Sequence, residues 1–410
     1  MPESSPAEDS TAAPKVQYRA VVGAGYTAVS SVITLVVGFT RSILLARLLL
    51  PEDFGVITFA LFFTSLIGSL TNFGFRQAFI HSDLEDEQRA ANAMFLVDIT
   101  IAIVQLFLVF LLQSVFTRLY PQYQLLPKIL LIFFSAYIIG AATGTPLAIL
   151  ERHLAYRRIA LLNIIISISI TIAAVLMALG GMGVWALVIE VILSRVVMFV
   201  GLFFIRPPWR FQGQVEWSFI RRFTKFGLSI SVTHILGFLI DQFDDFWIGA
   251  SLGKTSLGYY SKAYEYARYP RRVLSDPIVS VIFPAFSRLK HNRQELSQVF
   301  ARGFGVLIRL GFLVSITMYL TATELVQVAI GPKWLPMVNT YRLMIVYTLI
   351  DPLISIAAML FIAVGKPGVT TAIRLLQMFV FVPGVILLGN RFGIYGVAIA
   401  ADIMVILGFV

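Results

Sequence analysis

The stretch ILLARLLLPEDFGVITFA (43–60) reads as the end of one apolar run, a tight polar turn and the start of the next run. FWIGASLGKTSLGYYSKA (246–263) repeats that pattern without a gap, so that Gly55 aligns with Gly258. Farther on, GVWALVI (183–189) is echoed by GVAIAAD (396–402). The chain therefore reads as two related halves.

The runs around these turns are too apolar for a water-soluble domain. Mean hydropathy is +0.85, and 58% of the 410 residues are hydrophobic while 13% are charged. Soluble domains carry about 25% charged residues. Apolar runs of about 20 residues mark membrane-spanning helices, and the alternating ten-residue pattern of a membrane barrel is not seen. The class is an all-α polytopic membrane protein. The runs give about twelve spans, roughly 21–48, 54–80, 93–116, 128–149, 159–180, 183–205, 223–250, 257–287, 302–322, 338–364, 368–389 and 396–410.

An offset of six spans is even, so both halves cross the membrane in the same sense. This is the parallel-repeat arrangement of some transporters. The expected organisation is a disordered cytoplasmic tail (1–20), a six-helix lobe (21–205), a cytoplasmic linker (206–222) and a second six-helix lobe (223–410). The last span has only 15 residues from Gly396 to Val410, against about 22 for its counterpart. It is expected to be truncated or unusually short.

With the N-terminus placed in the cytoplasm, 17 Lys and Arg at the connections fall on the inner side and 6 on the outer side. The positive-inside rule supports that orientation. It also explains the net charge of +10 without invoking nucleic acid. The first residues, MPESSPAEDSTAAPKVQY (1–18), lack the basic start and apolar core of a signal peptide. Cysteine is absent, so neither a disulfide nor a thiolate site is possible. His81, His153, His234 and His291 lie far apart in sequence, without metal-ligand spacing.

The order and spacing of three segments resemble a known family. They are LLARLLLPEDFGVITFALFFTSLIGSLTNFGFRQAFI (44–80), FGLSISVTHILGFLIDQFDDFWIGASLGKTSLGYYSKAYEYARYP (226–270) and GPKWLPMVNTYRLMIVYTLIDPL (331–353). The family is the Wzx-like polysaccharide and lipopolysaccharide flippases of the colanic-acid-exporter type. It lies within the multidrug/oligosaccharidyl-lipid/polysaccharide exporter superfamily. The resemblance implies two six-helix lobes in a V around a central cationic cavity. It implies transport of an oligosaccharide linked to undecaprenyl diphosphate, by alternating access, from the cytoplasmic to the periplasmic leaflet of a bacterial inner membrane. No cofactor or catalytic residue is implied. The implied partners are that lipid, membrane lipids, and the polymerase and glycosyltransferases of the same pathway.

Charge then nominates site residues. KAYEYARYPRRVLSDP (262–277) places six charges in one span. Facing lipid, they would cost roughly 15–20 kcal/mol. At 100° per residue, Lys262, Glu265, Arg268, Arg272 and Asp276 share an arc of about 120°, with Arg271 about 60° beyond. These are cavity-wall candidates, because a guanidinium fork suits a diphosphate. Pairing within the stripe, Lys262 to Glu265 and Arg272 to Asp276, is the alternative. The substrate-binding candidates are Arg41, Lys262, Arg268, Arg271 and Arg272. The gate or ion-coupling candidates are Asp241, Asp244, Asp245, Glu265, Asp276, Asp98, Glu190 and Asp351. Arg41 stands at the repeat position of Asp244 and is either a substrate contact or the partner of an aspartate. EWSFIRRFTKF (216–226) reads as an interfacial helix with Trp217 and Phe219 in the headgroup zone.

Two other functions fit parts of this pattern. A drug/cation antiporter shares the fold, but surplus arginines would repel its cargo. A membrane polymerase or ligase usually carries a substantial external loop, and every outer connection here is short.

Overall fold

Three of the helix starts have a plain local cause. The Leu50 amide donates to Asp53 Oδ2 at 2.9 Å, and Pro51 opens the next helix, where its missing N–H costs nothing. Asp86 Oδ1 accepts from the Arg89 amide at 3.0 Å and caps another helix. Asn292 Oδ1 does the same for the amide of Glu295 at 3.2 Å.

The computed structural model describes residues 9–71, 74–81 and 86–409. In chain order the helices are α1 (Asp9–Leu48), α2 (Pro51–Thr71), α3 (Phe75–His81), α4 (Glu87–Leu119), α5 (Leu126–Arg152), α6 (Tyr156–Leu179) and α7 (Trp185–Phe203). There follow α8 (Trp217–Ser251), α9 (Gly253–Ala267), a π-helical turn (Arg271–Ser275), α10 (Asp276–Leu289), α11 (Arg293–Leu320) and α12 (Ala322–Ala329). A 3₁₀ turn (Pro332–Met337), α13 (Val338–Ala363) and α14 (Pro367–Phe409) complete the order. No strand occurs among the described residues. Each of the twelve expected spans falls mainly on helix among the described residues, with 72–73 outside them.

Nine helices among the described residues are long and apolar enough to cross a membrane. The seventh span falls on α8, and residues 222–236 of that helix lie outside the described side chains. The eighth span is broken into α9, the π turn and α10. The eleventh and twelfth spans run together in α14, which is interrupted where Gly393 takes φ 60° and ψ −143°. Side chains rarely tolerate that backbone.

Residues 1–8 of the expected tail lie outside the described residues, and helix α1 begins at Asp9.

The chain divides into two units: Met1–Leu48 with Phe63–Ile235, and Leu49–Phe62 with Leu236–Val410. The first twelve residues of α2 thus belong with the C-terminal half, which a cut at the linker does not anticipate.

In the first unit, α1 packs on α6, and α5 lies against α4 and α7. Residues 206–222 are held to this unit. Trp209 and Phe219 are buried with Phe75, Phe79 and Ala90. Asn92 Nδ2 donates to the Gln214 carbonyl at 2.6 Å, and Gln88 Nε2 to the Arg210 carbonyl at 2.8 Å. Phe219 is therefore a core residue, not a headgroup contact, whereas Trp217 is exposed.

In the second unit, α13 packs against α9, α10, α11 and α14. Here the two repeat-related turns meet. A Cβ built on Gly55 would lie 1.7 Å from the Lys254 carbonyl oxygen, and one on Gly258 would lie 1.8 Å from the Pro51 carbonyl oxygen. Gly55 matches Gly258 in the repeat, and Pro51 matches Lys254. The contact is reciprocal, as across a local twofold axis. Only glycine permits so close a backbone approach. Lys254 pairs with Glu52 at 2.7 Å across it. Trp334, fully buried, packs edge-on against Phe54 and Tyr259.

Candidate functional site

The second unit contains a cavity of about 610 Å³ between α8, α9, α13 and α14. Asp241, Arg268, Arg271, Asp351 and Arg374 supply its charges. Tyr264, Tyr347, Thr370 and Gln377 add polar surface, and Ile354, Phe361 and Val405 are among its apolar walls. Three arginines against two aspartates leave a cationic surplus of one.

Of the charges in 262–277, Arg268 and Arg271 reach this space, three residues apart and so neighbours on a helix surface. A π turn begins at the second of them. Its widened ring closes from the Asp276 amide to the Arg271 carbonyl. An extra residue per turn shifts everything beyond it around the axis, so one uniform helical wheel does not hold for the whole stretch. Arg271, outside the arc by the wheel, lines the cavity with Arg268. Arg271 pairs with Asp351 of α13 and, at 3.3 Å, with Asp276. Arg268 lies over the Tyr264 ring at 5.0 Å, and its Nε is buried without a hydrogen bond.

The other members of the stripe lie elsewhere. Lys262 is buried, bound to Glu265 at 2.7 Å and set 4.2 Å from the centre of the Phe54 ring. Arg272 is exposed and sits over Tyr269 at 5.5 Å. Asp276 is exposed as well. Lys262, Glu265, Arg272 and Asp276 are not among the residues that line this cavity. The self-pairing alternative describes Lys262 with Glu265, while Asp276 pairs with Arg271 and not with Arg272.

The aspartates of α8 separate in the same way. Asp241 lines the cavity, in the field of Arg374, Arg268 and Arg271. Asp244 accepts a hydrogen bond of 2.6 Å from the Tyr260 hydroxyl. Its tie to the eighth span is thus a phenol. Asp245 is half-buried, and its backbone amide donates to Asp244 Oδ1 at 3.0 Å.

The remaining candidates belong to the first unit. Arg41 pairs with Glu190 of α7 at 3.3 Å, a glutamate and not one of the aspartates. Asp98 of α4 is half-buried, and its Oδ2 fills the space left beside Gly144 of α5. Glu151 receives both Nε and Nη2 of Arg76, at 3.3 and 2.6 Å. No group of three metal-ligating side chains occurs among the described residues.

Arg374, Thr370 and Gln377 are cavity residues that the charged stripe did not reveal. Arg374 had a signal, an arginine inside an apolar run. Thr370 and Gln377 had none, since polar neutral residues in a span commonly bond their own backbone.

The chain is similar to known proteins along most of its length. Residues 44–339 match the model of the family described as polysaccharide biosynthesis protein. The succinoglycan biosynthesis transport protein ExoT of Rhizobium meliloti (strain 1021) is 25% identical over 278 residues, which are 67% of this chain and 55% of that protein. The chain thus spans little more than half the length of that relative. The lipopolysaccharide biosynthesis protein WzxC of Escherichia coli (strain K12) is 21% identical over 387 residues, 93% of this chain and 77% of that one. Among solved structures, the lipid II flippase MurJ in an inward closed conformation superposes with a TM-score of 0.76 at 14% identity. That match covers 95% of this chain and 86% of MurJ. At that identity the likeness shows the fold, a multi-pass helical transporter fold. By the extent of the family match, this chain is a member of the polysaccharide biosynthesis protein family.

Proposed function

We propose that the protein flips a lipid-diphosphate-linked oligosaccharide, of the undecaprenyl type, from the cytoplasmic to the periplasmic leaflet of a bacterial inner membrane. Transport proceeds by alternating access, with the N-terminus in the cytoplasm. The observation that carries this reading is the cavity holding Arg268, Arg271 and Arg374 among apolar spans. Arginine in a low-dielectric setting binds a diphosphate through paired, charge-assisted hydrogen bonds. The cationic surplus disfavours export of cationic drugs. Membership of a polysaccharide biosynthesis family, with a succinoglycan transport protein among its relatives, supports the glycan part of the reading.

The test is deletion of the gene in its host followed by lipid analysis. Accumulation of a lipid-diphosphate oligosaccharide on the cytoplasmic face is the expected outcome. Unpolymerised repeat units on the periplasmic face would instead mark a polymerase and overturn the reading.

A further inference from the structure

A second cavity, of about 500 Å³, lies wholly within the first unit, between α1 and α6. Thr27, Ser30, Ser31 and Thr34 line it from α1, and Tyr156 and Asn163 are among its α6 residues. The four α1 hydroxyls have the spacing i, i+3, i+4, i+7, which puts them on one helix face, and Arg41 continues that face two turns on. Arg41 and Glu151 also line the cavity. Both are already neutralised, by Glu190 and Arg76 respectively.

The hydrogen bonds decide what this cavity offers. Thr27 donates its proton to the Gly23 carbonyl at 3.0 Å, Ser30 to the Ala160 carbonyl at 3.1 Å, and Thr34 to the Ser30 carbonyl at 2.8 Å. Their oxygens keep free lone pairs, and the Glu151 carboxylate adds more acceptors. The Ser31 hydroxyl and the Asn163 amide have no hydrogen-bond partner among the described residues. Both are exposed within apolar spans. Serine can satisfy itself on its own helix, but an asparagine amide has two donors and an acceptor to place. Facing lipid it would be left unpaired at considerable cost.

The groove is therefore acceptor-rich, nearly neutral and polar at membrane depth. A diphosphate, which is all acceptor and anionic, has little to gain there. A sugar hydroxyl both donates and accepts, and fits. We infer that this α1–α6 groove is a binding site for the glycan of the transported lipid, separate from the arginine cavity of the second unit. The inference rests on the flippase reading and adds to it a site for the neutral, hydroxylated part of the substrate.

The test uses the full chain in nanodiscs and two probes. One is undecaprenyl diphosphate. The other is the undecaprenyl-diphosphate oligosaccharide extracted from a polymerase-deficient strain of the host. The variant Ser31→Ala/Thr34→Val/Asn163→Leu should bind the glycosylated lipid at least about tenfold more weakly. It should bind undecaprenyl diphosphate as the wild type does, which also shows that it folds. Thr34→Ser, which keeps the hydroxyl, should bind both lipids normally. Wild-type affinity of the triple variant for the glycosylated lipid would overturn the inference, as would equal weakening toward both lipids. If the wild-type chain binds undecaprenyl diphosphate equally well with and without its glycan, the groove falls and the flippase reading stands. If it binds neither lipid, the flippase reading falls and takes the groove with it.

Discussion

Arg268 and Arg272 are one helical turn apart in sequence, yet only Arg268 faces the cavity. This separates two substitutions that charge alone would treat as equivalent. Arg268→Ala and Arg271→Ala should each cut polysaccharide export about tenfold or more in a complemented deletion strain, with normal membrane levels. Arg272→Ala should leave export within about twofold. A strong export defect in Arg272→Ala would show that substrate contacts extend beyond this cavity. Lys262 has a different role, because its ammonium is buried between Glu265 and Phe54. Lys262→Ala removes that ammonium from the carboxylate and should cost about 1–3 kcal/mol. A lower unfolding midpoint of the detergent-purified protein would register it.

At the scale of elements, the crossing of α2 and α9 depends on glycine at both contact points. A single methyl at Gly258 would overlap the Pro51 carbonyl, so the helices must spread. Gly258→Ala should therefore destabilise the protein by about 1–3 kcal/mol, read as a drop in unfolding midpoint. The ion pair across the crossing provides a geometric check. Glu52 and Lys254 approach to 2.7 Å, and the chain has no native cysteine. Glu52→Cys/Lys254→Cys should cross-link in membranes with a short bifunctional maleimide, whereas either single variant should not.

For the whole molecule, orientation is the quantity to measure. By the positive-inside rule, the proposed orientation predicts 121–127 outside and 206–216 inside. Gln122 and Gln212 are exposed on these connections. In intact spheroplasts, a membrane-impermeant maleimide should label Gln122→Cys and spare Gln212→Cys until the membrane is opened. The opposite pattern would invert the orientation, and with it the direction of transport proposed.

Sequence alone determined that this chain is a bundle of apolar helices in two related halves. Span length, turn chemistry and the Gly55–Gly258 match are local properties, set by a run of about 20 apolar residues or by a backbone that tolerates no side chain. The break at Gly393 was visible as the gap between two spans. Tertiary structure alone decided what each charge meets. Arg271 and Asp351 are 80 residues apart and Arg41 and Glu190 farther still, so no spacing rule could pair them. Arg268 and Arg271, not Arg272, line the cavity because of what α8, α13 and α14 set beside them, and a helical wheel carries no neighbours. The hydroxyl face of α1 was written in the sequence as 27, 30, 31 and 34. It gained meaning only when α6 set Asn163 opposite, since a polar stripe becomes a cavity only with a second wall.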